Sequence, residues 1–356
     1  MGITYKRNRD TTNGPMIFFS IFHDEEFEEE IRSAFINNLS FYAYRHPHDS
    51  MMSYGSSEDY IEGIGEAGFV IGWFDETRPF ITIPYSRQKM KCIDKDLYNF
   101  PSQSTTFEEY SKEVTNIIKA IEKKEVTKVI ASRVIVKGIN FDIAEKFYEL
   151  IEKFPDSYVF CFSTPATGCW MGASPELLLK GDSDILSTMA LAGTREIGSE
   201  EEWDQKNIEE QKIVTDYILN CFRTNGFIPI NNPVITKRSG IIEHLCTPIT
   251  ASVKELELDQ LESLLRDLSP TPALCGTPKE EAKLIIKTQE SFDRGCYGGF
   301  CGPFHSTKDF TFNVVIRCAS LNEKNCCIYV GGGITDKSTV DKEWLETELK
   351  ARNISM

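Results

Sequence analysis

The stretch Lys128–Gly138, "KVIASRVIVKG", decides how the chain is read. Branched apolar residues at Val129, Ile130, Val134, Ile135 and Val136 suit a buried strand. Charged Lys128 and Arg133 sit in the same run. Such groups are almost never fully buried without a partner. Lys128 therefore either reaches water at the strand end or holds a desolvated amine that takes part in chemistry. Arg133 lies five residues further on, so it points to the opposite face and reads as structural.

The elements around this strand alternate irregularly. Phe107, Tyr110, Val114, Ile117, Ile118 and Ile121 recur at helical spacing, which predicts a helix starting near Thr106. Amphipathic spacing predicts further helices over 143–154, 201–222, 258–268, 279–292 and 340–352. "GFVIGWF", "FITIPY", "YVFCFST", "CWMGAS", "ELLLKG" and "STMALAG" read as strands, and the polar segment 94–104 as a connection. "DFTFNVVIRCASL" and "NCCIYVGGG" read as a pair of buried strands. No Gly/Pro/Ser-rich linker divides the second half. One large mixed α/β domain is expected over 101–356, with a strand-rich part, 1–100, packed on it.

Composition excludes several classes. The chain has 356 residues, 41% hydrophobic and 26% charged, as in ordinary globular proteins. A formal net charge of −15 argues against nucleic acid and anionic membranes as partners. The first residues lack a signal-peptide core, Lys6 stands where a myristoylation signal wants Ser or Thr, and no run is long enough to span a membrane. Eleven scattered cysteines without a CxxC pair read as reduced thiols in a cytoplasmic protein.

The second half places charges on elements that otherwise look buried. Glu176 follows Ser174-Pro175, and Arg317 sits inside "VVIRCAS", where an arginine needs an anionic partner. Glu343 and Glu346 share a helix face, and Glu209 and Glu210 lie on an earlier charged helix. Gly331-Gly332-Gly333 after an apolar strand is either a plain turn or a place where backbone N–H groups approach an anion. Taken one at a time, each carboxylate also reads as a solvated helix charge and His244 as an ordinary core or surface histidine.

Together these segments form an ordered pattern. "KVIASR", "GASPELLL", "ALAGT", "EEQKIVTDYI", "HLCTPITASV", "LSPTPALCGTPKEEA", "DRGCYGGFCGPF", "VVIRCA", "YVGGGI" and "EWLETELK" follow one another between about Glu108 and Lys350. The pattern resembles the chorismate-utilising enzymes: isochorismate synthase, salicylate synthase, and component I of anthranilate and aminodeoxychorismate synthases. "PTPA" (Pro270–Ala273) and Lys128 resemble the isochorismate synthase branch. The resemblance implies an α+β fold with large antiparallel sheets covered by helices. It implies Mg2+-dependent isomerisation of chorismate to isochorismate, feeding menaquinone or siderophore biosynthesis. Salicylate synthase and a non-catalytic chorismate-binding relative are the alternatives. A monomer without an obligate glutaminase partner is expected.

The resemblance also assigns roles. Lys128 would be the general base that activates water, its amine kept neutral by burial beside other cations. Glu176 would be the general acid, which requires a raised pKa. Glu210 and Glu346 would hold Mg2+, with Glu343 acting through a water and Glu209 the alternative to Glu210. Gly193, Thr194 and Lys350 would line the ring carboxylate. Arg317, Tyr297 and backbone near Gly332 would meet the second carboxylate. His244, Ala273 and Leu274 would complete the substrate site. The chain departs from the branch at Ser269, where histidine is usual, and at Asn207 beside the metal helix.

Overall fold

Tyr158–Thr164 is a strand buried along its whole length. Its Tyr158, Phe160 and Phe162 join one apolar cluster, and Val159 and Cys161 join another. This is the period-two alternation of a strand covered on both faces, and it fixes the layering of the molecule. The structure, a computed structural model, describes residues 24–85, 98–198, 202–239, 242–354 and 356.

In chain order the first elements are α1 (Glu25–Ile36), β1 (Ser40–Arg45), β2 (Ser53–Ser57), β3 (Ile61–Glu62), β4 (Gly68–Gly72), β5 (Ile81–Pro84), α2 (Phe107–Glu122), β6 (Lys128–Gly138) and α3 (Ile143–Lys153). Then come β7 (Tyr158–Thr164), β8 (Gly168–Ser174), β9 (Leu177–Asp182), β10 (Ile185–Glu196), α4 (Gln205–Thr224), β11 (Pro229–Asn231), β12 (Ile235–Ser239) and β13 (Ile242–Ser252). The last are α5 (Leu258–Leu268), β14 (Gly276–Thr277), α6 (Lys279–Gln289), β15 (Phe300–Ser306), β16 (Asp309–Val314), β17 (Cys318–Leu321), β18 (Asn325–Ile334) and α7 (Val340–Asn353).

The strands build two sheets. The first has the order β14-β6-β18-β17-β8-β7-β1-β2, and the second β11-β13-β10-β9-β16-β15-β4-β5-β3, with β12 also on β13. Every described strand pair is antiparallel. The sheets face each other across an aromatic layer that includes Phe69, Phe160, Phe162, Trp170 and Tyr329. Phe27 and Ile31 of α1 and Phe147 of α3 cover the outside of the first sheet. Val214, Ile218 and Phe222 of α4, with Leu261 and Leu265 of α5, cover the outside of the second. Helices α2 and α6 pack on Val129, Ala131 and Ile334, at the β6–β18 end of the first sheet. The α+β expectation of large antiparallel sheets under helices holds.

Several details differ from the sequence reading. Residues 25–36 form a helix, not strand or loop: Asp24 caps it, and Phe27, Ile31 and Ala34 are its buried stripe. Five glutamates among twelve residues hide that stripe from a composition-led reading. Strands β1 and β2 join the first sheet and β3, β4 and β5 the second, so the described part of 1–100 is hydrogen-bonded into both. "DFTFNVVIRCASL" is two strands in different sheets, not one. The triple glycine does not follow β18 but lies within it, paired Gly331↔Ser132, Gly332↔Ala131 and Gly333↔Ile130. The ten described cysteines are all free and buried. No helix among the described residues is long and apolar enough to cross a membrane.

Candidate active site

The chain changes sheets at Arg317. It leaves the second sheet after Val314 and enters the first at Cys318, and Arg317 turns the corner with φ +50. That left-handed conformation is strained for arginine, and such strain gathers at functional sites. Because the chain crosses here, β17 pairs with β18 only as far as Ala319↔Ile328. Beyond that point β18 has β6 on one side, and backbone groups of its glycine segment open to the other. Gly331 O uses that opening to accept from Lys350 Nζ at 2.8 Å.

Arg317 therefore does not lie inside a strand, as read from the sequence; the carboxyl whose charge acts on it is Glu176. Glu176 sits between β8 and β9 and is 5% exposed. Burial pushes its carboxyl up to about 7, against the opposing pull of Lys237 and Arg317. Burial likewise lowers the Arg317 guanidinium to about 10, with Glu176 opposing. His244 on β13 completes the group. Its Nδ1 is 2.8 Å from Gly193 O, and its Nε2 is 3.3 Å from Arg317 Nη2. Burial lowers its pKa to about 4, so the ring is neutral at pH 7. The network assigns Nδ1–H as donor to Gly193, leaving Nε2 to accept from Arg317.

Lys237 was not among the expected site residues. It stands opposite His244 in the β12–β13 pair and donates to Pro175 O at 2.9 Å, beside Glu176. In sequence it belongs to "TKRSG", which resembles any solvated hairpin tip. Only the strand register carries its amine inward.

Helix α4 ties this group to Lys128. Gly193 has φ +71 at an irregularity in the β10–β13 register, and a Cβ there would come within 3.0 Å of Asn207 Oδ1. Glu210 follows Asn207 by three residues, one turn along the same face. Its Oε1 accepts from Lys128 Nζ. On one stretch of α4, Asn207 thus lies against Gly193, which anchors His244, and Glu210 lies against Lys128. Glu209 is exposed and accepts from Gln205 Nε2 at 3.1 Å, so Glu210 is the residue turned inward. Lys128 is 8% exposed. The expectation that its amine sits among cations is corrected: its neighbour is the Glu210 carboxylate.

The glycines of β18 make room for four side chains. A Cβ at Gly333 would meet Lys128 Cε at 2.7 Å, one at Gly332 would meet Glu343 Oε2 at 3.1 Å and Glu346 Oε1 at 3.8 Å, and one at Gly331 would meet Tyr297 OH at 3.1 Å. Glu343 and Glu346 of α7 thus aim carboxylate oxygens at the space left by the absent Gly332 side chain. Glu346 also pairs with Lys350 at 2.7 Å. Among the described residues no three His, Cys, Asp or Glu side chains converge as a metal cage. The all-carboxylate donor set and the glycine cradle do fit a hard divalent cation, which uses few protein ligands and keeps several waters. The Thr194 side chain lies outside the described residues. Arg133 points away from Lys128, as expected, and bonds Thr347 and Glu348 beneath the Trp344 ring.

Of the substrate-lining expectations, Leu274 and Tyr297 meet at Arg294, another residue the sequence reading passed over, while Ala273 packs against the apolar core beneath the second sheet. Arg294 donates to Leu274 O at 2.8 Å and to Ile130 O at 2.7 Å, pairs with Glu290, and lies near the Tyr297 ring. Both partners of the Glu290–Arg294 pair are about 2% exposed in their side chains. Removing one partner of a buried pair strands the other charge, at a cost of about 3–5 kcal/mol. Arg294→Leu is therefore expected to lower stability by that amount, read as a fall in the urea midpoint at unchanged slope.

The chain is similar to known proteins over most of its length. The family model for chorismate binding enzymes matches residues 82–355. Isochorismate synthase EntC of Escherichia coli strain K12 is 32% identical over 263 residues, covering 70% of this chain and 66% of its own length. Isochorismate synthase MenF of Bacillus subtilis is 30% identical over 261 residues, covering 69% of this chain and 54% of its own. The chain thus spans less than two thirds of the length of these relatives. The structure of MenF, the menaquinone-specific isochorismate synthase of Escherichia coli, superposes with a TM-score of 0.76 at 18% identity over 89% of each chain, which speaks for the fold. Since the matched span takes in β6, Glu176, both sheets' central strands and α7, the chain belongs to the chorismate binding enzyme family.

Proposed function

We propose that the protein is an isochorismate synthase that moves the hydroxyl of chorismate from ring carbon 4 to carbon 2. The observation that carries the proposal is a buried carboxyl, Glu176, whose pKa of about 7 leaves a large protonated fraction at neutral pH, in a chain that also buries an amine, Lys128. Relatives named isochorismate synthase support it.

Each group has a defined task. Lys128 Nζ takes a proton from the water that attacks carbon 2. The double bonds shift, and the bond from carbon 4 to its hydroxyl breaks. Glu176 gives that hydroxyl its proton, so it leaves as water rather than hydroxide. Arg317 supplies a buried positive charge for a substrate carboxylate, and neutral His244, anchored on Gly193 O, holds the guanidinium in place. Tyr297 lines the same side. A divalent cation, Mg2+ in this proposal, would be held by Glu210, Glu346 and Glu343, and when bound it neutralises the ring carboxylate. The dianionic substrate then meets a local positive field inside an acidic chain.

Residues 1–100 belong, in this reading, to the same catalytic unit, since their described strands complete both sheets. A cytoplasmic monomer serving menaquinone or siderophore synthesis is part of the proposal, supported by free, buried thiols. The test is incubation with chorismate and Mg2+, followed by chromatography of the products. Isochorismate is expected, and chelation with EDTA is expected to stop its formation. Salicylate with pyruvate would instead make the protein a salicylate synthase. Chorismate binding without product would make it a non-catalytic relative.

A further inference from the structure

Two of the three carboxylates assigned to the cation already carry a lysine. Glu210 accepts from Lys128 Nζ, and Glu346 pairs with Lys350 at 2.7 Å. The two pairs differ in kind. Lys350 and Glu346 are an i,i+4 pair on one helix, each side chain about half exposed. Such pairs contribute little. Lys128 and Glu210 come from different elements, β6 and α4, with side-chain exposures of 10% and 29%. Solvent screens this contact far less.

From this asymmetry we propose that Lys128 is the resident counterion of Glu210 and that a divalent cation takes Glu210 only by displacing it. The inference rests on the cation assignment made above. The amine and the cation would draw on the same carboxylate, whose Oε1 Lys128 contacts. Gly333 leaves space along the Lys128 stem: a Cβ there would be 2.7 Å from Cε and 3.3 Å from Nζ. Cation arrival therefore frees the amine from its carboxylate in the same step that completes the site. One event completes the cation site and releases the Lys128 side chain, and a site without the cation keeps that side chain engaged.

The consequence runs against the usual expectation for a catalytic lysine. Deleting it should strengthen cation binding while turnover is lost. Calorimetric titration of Mg2+ alone into the full chain reads this directly. Lys128→Met is expected to tighten binding roughly tenfold, the scale on which a largely buried charged contact resists separation. Lys350→Met removes the same unit charge from an exposed pair and is expected to tighten it by less than about threefold. Equal effects would show that net charge, not the contact, matters, and would overturn the exchange. Unchanged or weaker binding in Lys128→Met would overturn it as well. If Lys128→Met does not fold, a crystal structure of the Mn2+-loaded wild-type protein decides. Nζ is expected off Glu210, and Nζ still seated there beside a bound ion refutes the inference. Glu210→Gln separates the two levels. Wild-type binding that Glu210→Gln abolishes, without tightening in Lys128→Met, leaves the cation site standing and removes only the exchange. Wild-type protein that binds no Mg2+ removes both.

Discussion

Lys128→Ala is expected to lower turnover of chorismate by ~10²–10⁴-fold, the range that a positioned proton acceptor contributes, while the fold survives. Lys128 is the first residue of β6. Truncating it leaves the β6–β18 ladder intact, because the pairing runs from Val129↔Ile334 to Gly138↔Asn325. Glu210 keeps partial access to water, its side chain being 29% exposed, so it can be resolvated when the amine goes. The stability cost is therefore small beside the catalytic one. Measuring kcat beside the urea midpoint separates the two. A lost rate with an unmoved midpoint supports a chemical role. Wild-type turnover would remove Lys128 as the base and send the search for one to Lys237, the half-buried amine beside Glu176. Loss of rate together with a large fall in midpoint would instead assign the lysine to holding α4 against the first sheet.

The sequence made the strands legible where both faces are apolar, as in β7, and the helices legible where the stripe is clean, as in α2 with its Thr106–Glu109 capping box. It could not reveal where a run changes sheets. "NVVIRCAS" has continuous strand character, and only the left-handed Arg317 and the partners on either side show the crossing. Nor could it show which cations face which carboxylates. Lys237 reaches Glu176 through a hairpin register, and Lys128 reaches Glu210 across two elements 82 residues apart in sequence. Those contacts are tertiary, and no local periodicity encodes them. The glycines of β18 are the reverse case. Their positions were visible, but their purpose is close approach by Lys128, Glu343, Glu346 and Tyr297, not a turn. The resemblance to a family supplied the residue set. The structure supplied the pairing, and the pairing changed the account of Lys128 from an amine among cations to one held by a carboxylate.

Glu176→Gln is expected to reduce turnover on the same scale, ~10²–10⁴-fold, and also to change its dependence on pH. Glutamine keeps the size and the neutral hydrogen-bonding character of the protonated acid, and the bonds between Ser174 and the backbone of residue 176 are unaffected, but it has no proton to give a departing hydroxyl. In the wild-type protein the acid form is the active one. Its pKa, pushed up to about 7 by burial, predicts that the rate falls as pH rises through that value, about tenfold per unit once the carboxyl is mostly ionised. Neither His244, at about 4, nor Arg317, at about 10, titrates in that window, so a limb near pH 7 points to Glu176 within this cluster. The glutamine variant should keep its small residual rate without that limb. A basic limb that persists unchanged in Glu176→Gln would transfer the proton-donating role to another group. Removing the cation Arg317 should move the limb upward, because the guanidinium favours the ionised carboxylate and its loss leaves burial less opposed. An Arg317→Met profile whose limb moves to lower pH would contradict the electrostatic coupling between the two residues on which the acid assignment depends.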